Sequence, residues 1–133
     1  MKSTTLLFSL FLCLTLFACG SSTDGGDANT TTTPKVEALS CSDLTSQYEE
    51  KEGKEITIKA ISWGTSNTAT GDIYLNLGDE PLTGMKQAKV VAVFPADKEE
   101  EAKSIAKDTE VTLTATVGES KYGAIYLTNP IVK

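Results

Sequence analysis

The sequence predicts a mainly β domain: a five-stranded Greek-key barrel with a helix between strands 3 and 4 and an N-terminal helix. Three observations predict it. Five segments carry strand patterning, two short stretches carry helical spacing, and their order is helix, three strands, helix, two strands. The first strand also changes its apolar parity part-way, which is what a bulge does when one strand serves two sides of a barrel.

Leu39-Ser40-Cys41-Ser42-Asp43-Leu44 opens the first helix. Ser40 caps it, Asp43 suits its positive N-terminus, and Leu39 with Leu44 has hydrophobic-staple spacing. Leu44 and Tyr48 lie one turn apart on the inner face, and Gly53 ends the helix. Strand one runs from Glu55 to Trp63. Ile56, Ile58 and Ala60 share a face before the parity passes to Ile61 and Trp63. A loop from Gly64 to Gly71 follows. Strand two, Asp72 to Leu77, turns Ile73, Leu75 and Leu77 inward and Tyr74 and Asn76 outward. Strand three, Lys89 to Phe94, is almost continuously apolar, the pattern of a strand covered on both faces; Pro95 stops it.

Asp97 and Glu100 have capping-box spacing at the start of the second helix. Its apolar stripe is Ala102, Ile105 and Ala106, and Glu99 precedes Lys103 by four residues in the favourable order. Strand four, Glu110 to Val117, alternates most cleanly: Val111, Leu113, Ala115 and Val117 inward, Thr112, Thr114 and Thr116 outward. A turn from Gly118 to Gly123 leads to strand five, Ala124 to Leu127, and then to Asn129-Pro130-Ile131. Five strands with a helix between the third and fourth is the plan of the OB-fold.

The preceding residues are an address and a tether. Met1 and Lys2 lead into an apolar run from Leu6 to Ala18, which is 13 residues and well short of the ~20 a spanning helix needs. It has the makeup of a secretory signal. Leu16-Phe17-Ala18-Cys19-Gly20 resembles the lipobox of bacterial lipoproteins. That resemblance implies acylation at Cys19, palmitate included, and a mature chain anchored to a membrane without spanning it. Several acyl chains hold firmly where a single one is marginal. Gly20 is not the aspartate of an inner-membrane retention signal, so the expected location is the bacterial cell envelope at the outer membrane. From Gly20 to Lys35 only Ala28 is apolar, the composition of a flexible linker. The expected organisation is therefore 1–18 signal peptide, 19–35 lipidated cysteine and linker, and 36–133 one barrel domain.

Composition removes many activities. The 133-residue chain has no histidine and no arginine, and its 12 lysines face 18 acids for a net charge of −6. There is no Ser-His or Cys-His pair, no imidazole metal ligand and no bidentate clamp for phosphate. Cys41 is the one thiol left in the domain, so no internal disulfide is available there. It reads as a small apolar residue near a helix start, with an intermolecular disulfide or a reactive thiol as the alternative. Glu99, Glu100 and Glu101 are consecutive on a helix and point apart, so they cannot close on one ion. Asp72, Asp79 and Glu80 lack a calcium-loop pattern. The expectation is a monomeric, non-enzymatic protein with no cofactor and no metal.

Several of these segments carry a family likeness. Glu52 to Lys59 with its Gly53-Lys54, Gly71 to Leu77, Val90 to Phe94 and Asp108 to Ala115 look like the strands of tRNA-anti-like OB-fold proteins. The likeness spans Tyr48 to Ile131, with Ala60 and Ala115 standing where that family usually carries glycine. It implies the same barrel in a small exported or lipid-anchored protein. Nucleic-acid binding, which the family name suggests, is disfavoured by the residues: single-strand binders line a cationic groove with aromatics, and here acids outnumber lysines.

Barrels of this plan bind across strands two and three and through the loops joining strands one to two and four to five. The candidate ligand residues are therefore Trp63, Asn67, Tyr74, Asn76, Tyr122 and Tyr126. Trp63 at the loop base could serve as a platform or as core, and the tyrosines could cluster or simply follow strand propensity. The expected partner is an envelope protein or peptide, with a glycan or small ligand on the same face as the alternative.

Overall fold

The structure is a computed structural model and describes residues 37–133. The expected signal peptide, Cys19 and the expected linker lie outside the described residues. The chain forms α1 (Cys41–Ser46), α2 (Tyr48–Lys51), β1 (Glu55–Asn67), β2 (Ile73–Gly78), β3 (Val90–Phe94), α3 (Glu99–Ser104), β4 (Glu110–Lys121) and β5 (Ala124–Val132). The strands close a barrel in the order β1-β2-β3-β5-β4. All neighbours are antiparallel except β3 and β5, where Val90, Val91 and Ala92 run parallel to Ile125, Tyr126 and Leu127. This is the five-stranded OB-fold barrel the sequence predicts, with its helix between strands 3 and 4.

The cap expected from Ser40 forms: its hydroxyl accepts from the Asp43 N–H at 3.0 Å, and Asp43 accepts from the Ser40 N–H at 3.2 Å. The expected single helix to Gly53 is instead two short ones. Ser46 Oγ donates to Asp43 O and Thr45 Oγ1 to Cys41 O, a competition for backbone acceptors that weakens a helix. The chain breaks at Gln47 and restarts. Gly53, at φ +75, turns it into β1 and donates to Val117 O at 2.8 Å.

β1 is longer than predicted. Its first half pairs with β4 from Glu55↔Thr116 to Ile61↔Glu110, and its second half pairs with β2 from Ile61↔Gly78 to Asn67↔Ile73. The bend is a bulge between Ser62 and Gly64, later than the parity shift placed it. Ile56, Ile58, Ala60 and Ser62 all face the core, while Ile61 and Trp63 are half-buried on the outside. A polar residue holds that inner position because its groups are satisfied. Ser62 Oγ accepts from the Gly64 N–H at 3.2 Å, and its backbone pairs with Thr109 O and the Asp108 N–H. Gly64, at φ +98, supplies the turn of the bulge. The residues from Gly64 to Asn67, expected in a loop, are thus strand.

The inward sets of β2 and β4 are as predicted, with Leu75, Leu77 and Leu113 fully buried. The expected Asp97–Glu100 capping box does not form. Pro95 begins a 3-10 turn at Ala96–Lys98, so Asp97 lies within that turn and Lys98 stands at the helix cap, where its side chain makes no capping bond. Ala102 is buried and Ile105 packs on the core, but Ala106 is exposed. Glu99 and Lys103 do pair. The turn after β4 is shorter than predicted: Tyr122 and Gly123, at φ +53 and +80, close a two-residue hairpin between Lys121 and Ala124.

The pairing sorts the connections by end. The β1–β2 turn lies at one end of the barrel. The β4–β5 turn lies at the opposite end, where β1 begins, and the β2–β3 loop (79–89) projects the same way. Leu39 runs parallel to β1 beside Ile58 and bonds Thr57 O and the Lys59 N–H, both at 2.9 Å. It covers the edge of β1 that β2 does not reach.

Candidate functional site

Strand register builds an aromatic face on the outside of the barrel. Residues directly opposed across a ladder share a face. Tyr74 opposes Val93, Asn76 opposes Val91, and Val91 opposes Tyr126. Tyr74 and Tyr126 therefore meet across β3, edge to face, with ring centroids 5.6 Å apart at 68°. Beneath them Ala88, Val91 and Ala124 form a second buried cluster, and Trp63 packs against it. This outer cluster is why β3 is apolar on both faces.

Trp63 closes one side of that face. Its ring lies against Gly78, where a Cβ would fall within 3.0 Å of three ring atoms, and its Nε1–H donates to Glu80 O at 2.7 Å. Beyond it an open groove of about 900 Å³ separates α1 from the β2–β3 loop, with Thr45, Ser46, Glu80, Lys86 and Lys89 among its lining.

At the floor of that groove Asp79 holds α1 in place. Its carboxylate accepts from the Cys41 N–H at 2.6 Å and the Ser42 N–H at 3.0 Å, and also from the Ser42 hydroxyl. A thiol at a helix N-terminus is ordinarily activated. Here burial first, then the charge and hydrogen bond of Asp79, push the Cys41 thiol up to about 12. Cys41 is 5% exposed, so it is a packed, protonated core residue. Asp79 and Cys41 are 38 positions apart, and nothing in the chain's local patterning links them.

The predicted site residues separate into two groups. Trp63, Tyr74 and Tyr126 come together around Val91, and Asn76 sits beside them with its Nδ2 donating to Gly64 O at 3.4 Å. Asn67 ends β1 opposite Ile73, on the other parity from Tyr74. Tyr122 stands alone at the hairpin tip, 87% exposed. The hydroxyl-rich β1–β2 turn turns its side chains inward on itself: Thr68 Oγ1 meets Thr70 Oγ1 at 2.8 Å, and Thr70 Oγ1 donates to Asp72 Oδ2 at 3.1 Å.

No family model matches the chain, and no curated protein matches it. Solved structures do. One, named "putative nucleic acid-binding lipoprotein", from Klebsiella pneumoniae, is 15% identical with a TM-score of 0.58; the match covers 83% of this chain and 99% of that one. Another, a "putative aspartyl-tRNA synthetase" from Leishmania major, is 19% identical with a TM-score of 0.51. That match covers 82% of this chain but 22% of the synthetase, so this chain spans about a fifth of the synthetase's length. What they share with it is the fold.

Proposed function

We propose that the mature chain is a lipid-anchored binding module of a bacterial cell envelope, held at the outer membrane through Cys19, and that it catalyses nothing itself. Its β2–β3–β5 face takes an extended segment of a protein partner. The observation that carries this reading is the Tyr74–Tyr126 pair, set over a buried apolar patch and bordered by Trp63. Aromatic rings with an apolar body and a polar tip are what protein interfaces concentrate at their centres. The absence of a catalytic role rests on the residue types: the chain has no histidine, and the domain's one thiol is held protonated. The lipoprotein description of the Klebsiella neighbour agrees with the anchor expected at Cys19.

A second reading has one observation in its favour. The Klebsiella neighbour is named for nucleic-acid binding, and the same aromatic face could stack bases, with Lys86 and Lys89 nearby. Against it stand a net charge of −6 and the absence of arginine.

A photo-crosslinking residue at Asn76, in the full chain expressed in cells, separates these readings. A discrete protein adduct lost on Tyr74→Ala/Tyr126→Ala, with folding intact, supports the protein partner. Adducts that disappear only on nuclease treatment would transfer the face to nucleic acid. Adducts lost only after glycosidase treatment would assign it to a glycan.

A further inference from the structure

We infer that the end of the barrel formed by the β2–β3 loop and the β4–β5 turn rests on a phospholipid bilayer, with Met85 and Tyr122 as its interfacial side chains. This rests on the lipid anchor proposed above, and it adds a second, non-covalent contact that orients the domain.

Among the described residues the exposed large hydrophobics are Met85, Tyr122 and Ile131, at 105%, 87% and 53%. The first two are on adjoining segments. Gln87 Nε2 donates to Tyr122 O at 3.3 Å, tying the β2–β3 loop to the hairpin tip. Neither side chain is used by the core. Their chemistry suits an interface: methionine is a pliable apolar chain, and tyrosine places an apolar ring and a polar tip at headgroup level. Tyr122 is also held at φ +53, in a turn position where asparagine or glycine is the ordinary choice.

Charge on the β2–β3 loop agrees. Lys86 and Lys89 flank Met85 and make no ion pair among the described residues, leaving them available to anionic headgroups. Lys121 is paired with Glu119 and adds little. Of the acids nearby, Asp79 is turned into the α1 N-terminus; Glu80 and Glu119 face outward, and Glu49, Glu50 and Glu52 are exposed on α2 and its turn beside the end of β4, so the cationic contact is confined to the β2–β3 loop.

The position of the tether selects this end over the other. Leu39 runs parallel to β1 beside Ile58, so residues 37 and 38 lead toward the start of β1, the end that carries the hairpin tip. Only residues 20–36 separate that point from Cys19, a length of chain that keeps this rim in reach of the surface that holds the lipid. A contact too weak to recruit a free protein is then sufficient to orient an anchored one.

The full lipidated chain, reconstituted in vesicles of phosphatidylethanolamine and phosphatidylglycerol, tests this. Met85→Cys carries a nitroxide label, with Thr70→Cys on the β1–β2 turn as the control; Cys41 is buried and stays unlabelled. The expected result is flotation with the vesicles and a several-fold lower accessibility of the residue-85 label to an aqueous relaxant, while the residue-70 label stays open. Tyr122→Ser should restore much of the accessibility at 85 without releasing the protein. Flotation with both labels equally open overturns the bilayer contact and leaves the anchor standing. Failure to float overturns the anchor, and this inference with it. Protection of the residue-85 label in native envelopes but not on pure lipid would assign the rim to a protein and likewise overturn the proposal.

Discussion

The indole of Trp63 occupies the space a side chain would need at Gly78. A Cβ at Gly78 would come within 3.0 Å of Cζ2, Cε2 and Nε1. The two residues belong to adjacent strands just where β1 bulges away from β2. The glycine therefore permits the seat of the ring, and the Nε1–Glu80 O bond locks it.

Gly78→Ala should therefore unseat Trp63. The ring is planar and hemmed in, so relief requires a rotamer change that breaks the bond to Glu80. The expected cost is about 1–3 kcal/mol, the range for overpacking a tight site. Because the chain has one tryptophan, its emission reports the event directly. A red shift with a lowered Tm is expected, and an unchanged spectrum would show that the ring is not held there.

Asp79→Asn probes a different joint. The carboxylate accepts the Cys41 N–H on one oxygen and the Ser42 N–H on the other, and an amide keeps the shape while removing the charge and one of the two acceptors. Loss of the charge at a helix start should cost about 1 kcal/mol. The Cys41 thiol should fall below about 12 yet stay above its ordinary 9.0, since burial is the first cause of its shift and Asp79 the second. The pH dependence of alkylation under native conditions measures both ends of that statement.

The inward residues of β2 and β4 could be named from the sequence because a strand with one buried face writes its register in steps of two. The bulge could be foreseen but was placed too early, since Ser62 looks like a surface residue until Asp108 and Thr109 arrive to bond its backbone. Tyr74 is legible as outward, and a cluster of the tyrosines is one of two outcomes the sequence leaves open. What decides it for Tyr74 and Tyr126 is the parallel closure of β3 on β5, which joins segments far apart in the chain. Asp79 was invisible for the same reason: its partners are 37 and 38 residues away.

The raised thiol makes stability depend on pH in a defined window. In the native state Cys41 keeps its proton up to about 12, whereas in the unfolded chain it ionises near 9.0. Below that lower value both states are protonated and the group contributes nothing. Above it the unfolded state binds fewer protons, so stability falls as pH rises, by about 1.4 kcal/mol per unit until the native thiol also ionises. Other groups titrate in this range, so the informative quantity is the difference between the native protein and Cys41→Ala. Urea unfolding from about pH 8 to about pH 11 should show the native protein losing stability faster than the variant. Parallel curves would mean that the thiol is not buried.

Tyr122 offers the sharpest separation of stability from use. It occupies the first position of a two-residue hairpin with both residues at positive φ, where a bulky side chain is strained and asparagine is at ease. It is 87% exposed, so its replacement forfeits almost no packing. Tyr122→Asn should therefore raise stability, by about 1 kcal/mol, with a higher Tm as the measure. The bilayer-facing rim gives the exposed ring a use that packing does not. The same variant should thus be more stable in solution and less well seated on vesicles, read as higher aqueous accessibility of the label at position 85. A destabilised Tyr122→Asn would instead mean that the ring packs on the barrel, and the rim would lose its aromatic contact.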